Sequence, residues 1–309
     1  MLIGSKLPSK HVDKTFFNSG RSAFAFLVMQ VKPRKVYLPA YTCWSLVSAM
    51  EMRFPHIEVE YYPVDRDITC HYPEYIHEDE LLVFIHYFGH ENQGELPESE
   101  GVILEDASHS YMSRISPRGD YVFGSYRKLL RVADGGFIDA YFNPVYEASR
   151  NLDTWLRHEA GDWRDMREAE NMTDRGWKMT DISSQSLAVL LASNHDLIRH
   201  RRRANDKYLT ESIEVGEPLL TYRLGECPIV HNRLLATKEE RDSLRDFLAQ
   251  KDIYTSIHWP THTSIKSSDC DIGDTLWLES HIISIPVSHD YGLNDMEYIA
   301  ESIREWQGG

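Results

Sequence analysis

The sequence of 309 residues predicts an α/β fold, with a mostly parallel central sheet flanked by helices and a smaller C-terminal α+β domain. Short apolar runs at residues 81–86 and 102–105 alternate with helical segments, which is typical of parallel sheets covered on both faces. After residue 225 the pattern changes to strand, helix and strand, as in a small α+β unit. We therefore expect a large domain over residues 1–210 and a small domain over residues 211–309.

The elements of the large domain are predicted from periodicity and flanking residues. A buried helix over residues 21–30 is entered through Asn18, Ser19 and Gly20, which are typical of a helix start. Strands are predicted at residues 36–39, 58–62, 81–86, 102–105 and 137–140, and a second helix at 45–52.

Three further segments complete the large domain. Residues 145–170 are rich in Glu, Arg and Trp and are predicted to be helical. Residues 181–198 are predicted as one long helix with an apolar centre, suited to a deep position or a subunit contact. The arginine-rich run at 199–203 continues that helix and is typical of a solvated face.

The small domain is predicted to alternate strands and helices. The predicted strands are residues 228–230, 253–258 and 282–286, and the predicted helices are residues 239–251 and 294–306.

Composition excludes several classes of protein. The net charge of −15 would repel nucleic acid, so no nucleic-acid partner is expected. No apolar stretch is long enough to span a bilayer and the N-terminus does not resemble a secretory signal, so a cytoplasmic protein with no membrane partner is expected. The cysteines form no CxxC pair, so no metal site is predicted and free thiols are expected. They are Cys43, Cys70, Cys227 and Cys270.

Three segments together would suit one cofactor, pyridoxal 5′-phosphate (PLP). PLP needs a lysine for its aldehyde, a carboxylate for its ring nitrogen, and backbone N–H groups with hydroxyls for its phosphate. Lys128 could supply the amine, and Asp106 follows a predicted strand, where ligands of parallel sheets bind. Taken singly, a solvated lysine and a helix cap are the commoner interpretations. The candidate phosphate ligands are Gly20, Arg21, Ser22 and Ser125.

The order of the motifs resembles that of the DegT/StrS-type sugar aminotransferases, PLP-dependent enzymes of fold type I, over almost the whole chain. The matching motifs are Ser19-Gly20-Arg21-Ser22, Pro39-Ala40-Tyr41-Thr42, Ile85-His86-Tyr87-Phe88-Gly89, Glu105-Asp106-Ala107-Ser108-His109, Ser125 to Gly136, and His258-Trp259-Pro260. The resemblance implies that Lys128 is the Schiff-base lysine and proton carrier. It also implies that Asp106 holds the ring nitrogen and that His109 contacts the side of the ring bearing the hydroxyl.

The resemblance implies contacts beyond these three residues. The family places an aromatic ring on PLP just after the threonine, where this chain has Cys43 followed by Trp44, and either could face the ring. His86, Tyr87 and His258 are candidate substrate residues. Fold-type-I sites generally form at a subunit boundary, so a homodimer is expected.

The chain also departs from the family pattern. Lys128 follows Ser125 by only three residues, the loop before Gly135 is shortened, Gly176 stands where the family has an asparagine, and Lys178 replaces an arginine. The resemblance implies an aminotransferase acting on a keto-sugar, expected to be nucleotide-linked, with an amino acid as donor. Two alternatives stay open: a PLP-dependent sugar dehydratase, although that group has histidine in place of the lysine, and an inactive PLP-fold protein with a binding or regulatory role.

Overall fold

The computed structural model describes residues 14–147 and 177–308. Most of the helix predicted over residues 145–170 lies outside the described residues, as does Gly176, and residues 145–147 have no regular structure. None of the helices in the described part of the chain is long and apolar enough to cross a bilayer.

A seven-stranded sheet forms the centre of the molecule. Its strands are β1 (Thr15–Phe17), β2 (Lys35–Pro39), β3 (Glu58–Tyr62), β5 (Glu80–Ile85), β7 (Val102–Asp106), β8 (Tyr121–Ser125) and β9 (Gly136–Ile138). They are arranged in the order β3-β2-β5-β7-β8-β9-β1. The five strands from β3 to β8 are parallel, whereas β9 and β1 pair antiparallel to their neighbours. The predicted α/β class with a mostly parallel sheet is therefore confirmed.

Burial explains the apolar runs in the sequence. All six residues of β5 are buried, as expected for a central parallel strand covered on both faces. Helix α1 (Gly20–Val31) packs against β8, β9 and helix α2 (Trp44–Arg53). Strands β4 (Tyr75–Ile76) and β6 (Glu98–Ser99) form a separate two-stranded sheet.

The C-terminal part has its own sheet and its own apolar cluster. Its sheet is antiparallel, in the order β10-β11-β12, with β10 (Glu217–Pro218), β11 (Val230–Leu234) and β12 (Ile282–Pro286). The helices are α3 (Ser184–Ala192), α4 (His195–Ser212), α5 (Lys238–Gln250), α6 (Thr263–Lys266), α7 (Gly273–His281) and α8 (Leu293–Gly308). Helix α4 contacts β11 and α5 contacts β12, and α8 packs on both helices. The division at residue 210 stays a prediction.

Two of the predicted elements are wrong. The long helix at 181–198 is two helices, because Asn194 accepts a hydrogen bond from the N–H of Leu197 and so caps a new helix, α4. The strand at 253–258 is absent. Only Ser256 pairs with β12 in that segment, and the chain then turns so that Trp259 packs on His109 of the central sheet.

The arginine-rich run is only partly a solvated face, because His200 and Arg201 are exposed whereas Arg202 is buried. Arg202 donates hydrogen bonds to the carbonyls of Ile229 and Leu129, at 3.1 and 3.5 Å. Arg199 donates to Met112 in the same way. A guanidinium carries five donors in a fixed planar fork, so these side chains hold loops of the large sheet against α4.

Candidate active site

One pocket contains most of the predicted site residues. It lies beyond the carboxyl ends of β5, β7 and β8, where open parallel sheets bind ligands. It is lined by Ser19, Gly20, Arg21, Thr42, Cys43, Trp44, Ser45, Leu46, Ile85, Asp106, Ser108, His109, Phe123, Ser125, Arg127, Lys128, Trp177 and Trp259.

The first turn of α1 forms one wall of the pocket. Ser19 caps the helix by accepting a hydrogen bond from the N–H of Ser22 at 3.1 Å. A Cβ at Gly20 would lie 3.1 Å from the Cβ of Ser125 and 3.2 Å from the carbonyl of Gly124, so any other residue would push the end of β8 away by a few tenths of an ångström. The helix N-terminus therefore points its partial positive charge at the pocket.

Asp106 is a buried carboxylate with few partners. It is 7% exposed, and its Oδ1 accepts one hydrogen bond, from the N–H of Ser108 at 2.8 Å. The side chain of Ser108 also interacts with this carboxylate, and no other residue in the described part of the chain donates a hydrogen bond to it. Burial raises the pKa of Asp106, although the hydrogen bond from Ser108 and the charge of Lys128 act in the opposite direction. A buried carboxylate in this state is ready to accept a donor from a ligand.

Lys128 lines the same pocket as this carboxylate. It ends the 3₁₀ turn that directly follows β8, and its side chain is exposed within the pocket mouth. Its positive charge influences the pKa values of Asp106, His109 and His258, so all three groups lie within electrostatic range of the amine. The structure therefore brings together the lysine and the carboxylate that the sequence paired.

His109 is fixed in one protonation state and orientation. Its ring stacks on Trp259 at a centroid distance of 5.3 Å and an angle of 25°. Its Nδ1 accepts a hydrogen bond from the N–H of Phe88 at 3.2 Å. Burial, followed by the charges of His258 and Lys128, lowers the pKa of His109 well below its usual range, so the ring is neutral. A neutral ring that accepts at Nδ1 carries its proton on Nε2, so Nε2 is a donor.

The pocket is cationic in an acidic protein. Among the described residues that line it, the charged ones are three cations, Arg21, Arg127 and Lys128, and one carboxylate, Asp106. The whole chain, by contrast, has a net charge of −15. The guanidinium of Arg21 lies over the ring of Trp44 at 4.6 Å. Such a field favours an anionic ligand.

Cys43 and Trp44 both reach the pocket, at the start of α2. Trp44 stacks with Arg21, while the Sγ of Cys43 accepts a hydrogen bond from Ser45 at 3.3 Å. The hydroxyl of Thr42 is buried and has no hydrogen-bond partner within the described residues. The choice between Cys43 and Trp44 as the ring-facing residue stays a prediction.

Ser22 does not reach the pocket as the sequence analysis expected. Its hydroxyl is fully buried, donates to the side chain of Asn18 at 2.7 Å and accepts from the indole N–H of Trp177 at 2.9 Å. Ser22 is therefore occupied in joining the start of α1 to the segment at residue 177. Gly20, Arg21 and Ser125 remain at the pocket wall.

His86 and Tyr87 are also turned away, so the structure does not support them as substrate residues. Both are buried, at 0% and 1% exposure. His86 Nε2 donates to Glu105 Oε1 at 3.0 Å, on the face of the sheet opposite Asp106. The hydroxyl of Tyr87 donates to the carbonyl of Tyr41 at 2.6 Å.

Arg127, Trp177 and Trp259 are among the pocket residues that the sequence analysis did not name as candidates. Trp259 lies inside the His258-Trp259-Pro260 motif, and Arg127 precedes the lysine, so the motifs could have indicated both. Trp177 had only its position just before Lys178 as a signal. No group of three metal-binding side chains occurs within residues 14–147 and 177–308.

Solved structures with this fold include aminotransferases, some of them described as sugar aminotransferases. A DegT DnrJ EryC1 StrS aminotransferase from Brucella abortus is 15% identical, with a TM-score of 0.66 over 96% of this chain and 86% of that chain. The protein DesV from S. venezuelae is 18% identical, with a TM-score of 0.63 over 95% and 84%. The protein Spr1654 from Streptococcus pneumoniae, in its PLP form, is 15% identical, with a TM-score of 0.65 over 96% and 87%.

No protein-family model and no curated protein matches the chain. At these identities the likeness to solved structures establishes the fold. It confirms at that level the resemblance to the DegT/StrS-type aminotransferases.

Proposed function

We propose that the protein is a PLP-dependent aminotransferase that acts on a keto-sugar. The observation that carries the proposal is the pairing of Lys128 with the buried, under-bonded Asp106 in one pocket. The proposal is supported by the fold, which solved sugar aminotransferases share.

The residues of the pocket fit PLP as a cofactor. Asp106 would accept the N–H of a protonated pyridine, which would give this buried carboxylate the cation that it lacks. The first turn of α1, with Gly20, Arg21 and Ser125, would hold the phosphate. Nε2–H of His109 would donate a hydrogen bond to the hydroxyl oxygen on the pyridine ring.

When bound, PLP supplies an electron sink that stabilises a carbanion next to the amino group. The chain's residues then orient that chemistry. Asp106 would keep a proton on the ring nitrogen, and the amine of Lys128 would take a proton from the substrate carbon and return it. Trp259 packs against His109 and so fixes the donor of that residue.

The substrate is proposed to be a nucleotide-linked keto-sugar, with an amino acid as donor. The excess of cationic side chains in the pocket supports ligands that carry phosphate or carboxylate groups. Solved structures with this fold include CalS13 from Micromonospora echinospora, described as a sugar aminotransferase.

A homodimer is proposed on the exposure of α3. Only Ser186 and Leu190 of this apolar helix are buried, while Val189 is 43% exposed. An exposed apolar helix of this kind is typical of a protein–protein contact.

The test is covalent attachment at Lys128. The purified protein is incubated with PLP, reduced with borohydride and digested, and the modified peptide is identified by mass spectrometry. We expect a single pyridoxyl group on Lys128, and none in Lys128→Ala, while Lys178→Ala serves as the matched control for an exposed lysine.

Release of 2-oxoglutarate from glutamate by the loaded protein would then support transamination rather than dehydration. Wild-type protein that stays unmodified with excess PLP would contradict the proposal and favour a non-catalytic role.

A further inference from the structure

His258 is connected to the C-terminal sheet by two buried side chains. Its Nδ1 lies 2.8 Å from the hydroxyl oxygen of Ser284, and that hydroxyl donates to Oδ1 of Asn232 at 2.6 Å. Asn232 and Ser284 are directly opposite each other on β11 and β12. With Oδ1 of Asn232 facing Ser284 and taking its single hydroxyl proton, Ser284 accepts from Nδ1–H of His258. This chain of hydrogen bonds fixes the tautomer and leaves a lone pair on Nε2.

The neighbouring histidine is fixed in the opposite tautomer. His109 accepts at Nδ1 from the N–H of Phe88, so its Nε2 is a donor. The centroids of the His109 and His258 rings are 6.0 Å apart, and both rings contact Trp259, which lines the pocket. The site therefore has one fixed imidazole donor and one fixed imidazole acceptor side by side.

Both imidazoles are neutral at physiological pH. Burial, and then the charge of Lys128, lowers the pKa of His258 to about 3. Burial lowers the pKa of His109 as well. Nε2 of His258 accepts no hydrogen bond within the described part of the chain. It is thus an acceptor on a ring that packs on the pocket-lining Trp259 and that lies within electrostatic range of Lys128.

We propose that His258 is a positioning residue for Lys128, whose free amine donates a hydrogen bond to Nε2 of His258. The inference rests on the proposed function, in which the free amine must return repeatedly to one place. A neutral imidazole orients the amine and leaves its pKa low. A second carboxylate in the same place would favour the charged ammonium and so raise the pKa of the amine. Ser284 and Asn232 act through His258 by fixing its tautomer.

The first test reads the tautomers directly, without activity. Two-bond ¹H–¹⁵N correlation spectra distinguish Nδ1–H from Nε2–H imidazole, and His258→Phe and His109→Phe assign the two signals. We expect Nδ1–H for His258 and Nε2–H for His109, and we expect Ser284→Ala to populate the other tautomer of His258. An Nε2–H tautomer for His258 in the wild-type protein would overturn the inference.

The second test measures how fast Lys128 captures PLP, followed by visible absorption after mixing. We expect the rate to fall by about tenfold or more in His258→Phe, since a hydrogen bond to an amine is lost. His258→Gln, which retains an acceptor, should recover part of the rate. Ser302→Ala removes an equally buried serine on α8 and should leave the rate unchanged.

The outcomes separate the inference from the proposed function. Capture within twofold of wild type in both His258→Phe and Ser284→Ala would overturn the role of His258 while leaving the aminotransferase proposal intact. A wild-type protein that captures no PLP would contradict the proposed function and with it the role of His258. Thermal unfolding of each variant checks that the fold is retained, and His258→Gln decides the question if His258→Phe does not fold.

Discussion

Glu105 and Asp106 are consecutive carboxylates at the end of β7, and the structure treats them in opposite ways. Glu105 accepts hydrogen bonds from His86 at 3.0 Å and from the N–H groups of Arg118 and Gly119 at 2.8 and 3.2 Å. Asp106, on the other face of the sheet, accepts one from Ser108 at 2.8 Å.

The difference in partners reverses the direction of the two pKa shifts. Burial alone would raise both pKa values. For Glu105 the hydrogen bonds from His86 and Arg118 outweigh burial and lower the pKa, whereas for Asp106 burial dominates and raises it. A buried carboxylate with all its hydrogen bonds supports the fold, and one left without them in a pocket is available to a ligand.

Asp106→Asn should have the largest effect, because the amide cannot balance a protonated ring nitrogen. With PLP bound, we expect aminotransferase turnover to fall by on the order of a thousandfold. Steady-state kinetics with glutamate as donor measures this. Urea unfolding of the cofactor-free variant should show stability equal to or above that of wild type. A clear loss of stability would show that Asp106, like Glu105, supports the fold.

Glu105→Gln should have the reverse profile. It leaves His86 buried opposite a weaker acceptor, so we expect the free energy of unfolding to fall by about 3 kcal/mol. Chemical denaturation of the cofactor-free protein gives this value. The rate of PLP capture by the folded protein should change by less than about threefold, which is no more than the loss of one weak hydrogen bond would cause. Loss of capture in stably folded protein would break the comparison between the two carboxylates.

The pH dependence of stability should separate the two variants further. Glu105 has a lowered pKa in the folded state, so its contribution is present above about pH 4 and is lost as the pH falls. Asp106 has a raised pKa, so its ionisation costs stability as the pH rises through that value. We expect the penalty of Glu105→Gln and the gain of Asp106→Asn both to shrink toward about pH 3. Denaturation midpoints over this range provide the measurement, and parallel curves for both variants and wild type would contradict it.

Trp44→Ala should have the smallest effect. It removes the ring on which the guanidinium of Arg21 lies at 4.6 Å. A cation–π contact of about 1 kcal/mol corresponds to roughly fivefold weaker PLP binding. Equilibrium titration measures it, with Met52→Ala on the exposed face of the same helix as control. Unchanged affinity would show that Arg21 is held by other contacts.

The sequence was enough to predict the sheet and the pairing of Lys128 with Asp106. Apolar runs identify buried parallel strands, and chemistry gathers at their carboxyl ends. The direction in which a side chain points just past the end of a strand was harder to predict. Ile85 is aligned with Asp106 across β5 and β7, so His86, one residue later, faces the other side. That register depends on the pairing of strands and cannot be read from either segment alone.

Two other differences have one local cause and one tertiary cause. Apolar residues lie on both sides of Asn194, at Leu190 and Leu197, so periodicity indicates one helix, yet the side chain of Asn194 begins another. Arg202 looks like a solvated charge in the sequence, but the carbonyls of Leu129 and Ile229 surround it in the fold. The contacts of Arg202 join distant segments, which a local pattern does not contain, whereas the Asn194 cap is a local contact three residues along the chain.

The three indole rings of the pocket also give the protein a built-in optical reporter. Trp44, Trp177 and Trp259 are three of the seven tryptophans in the chain. Their intrinsic emission responds to any chromophore that enters between them, and a pyridoxal ring absorbs where indoles emit. Quenching of ultraviolet-excited fluorescence should therefore follow occupancy in real time, with no label attached to the protein.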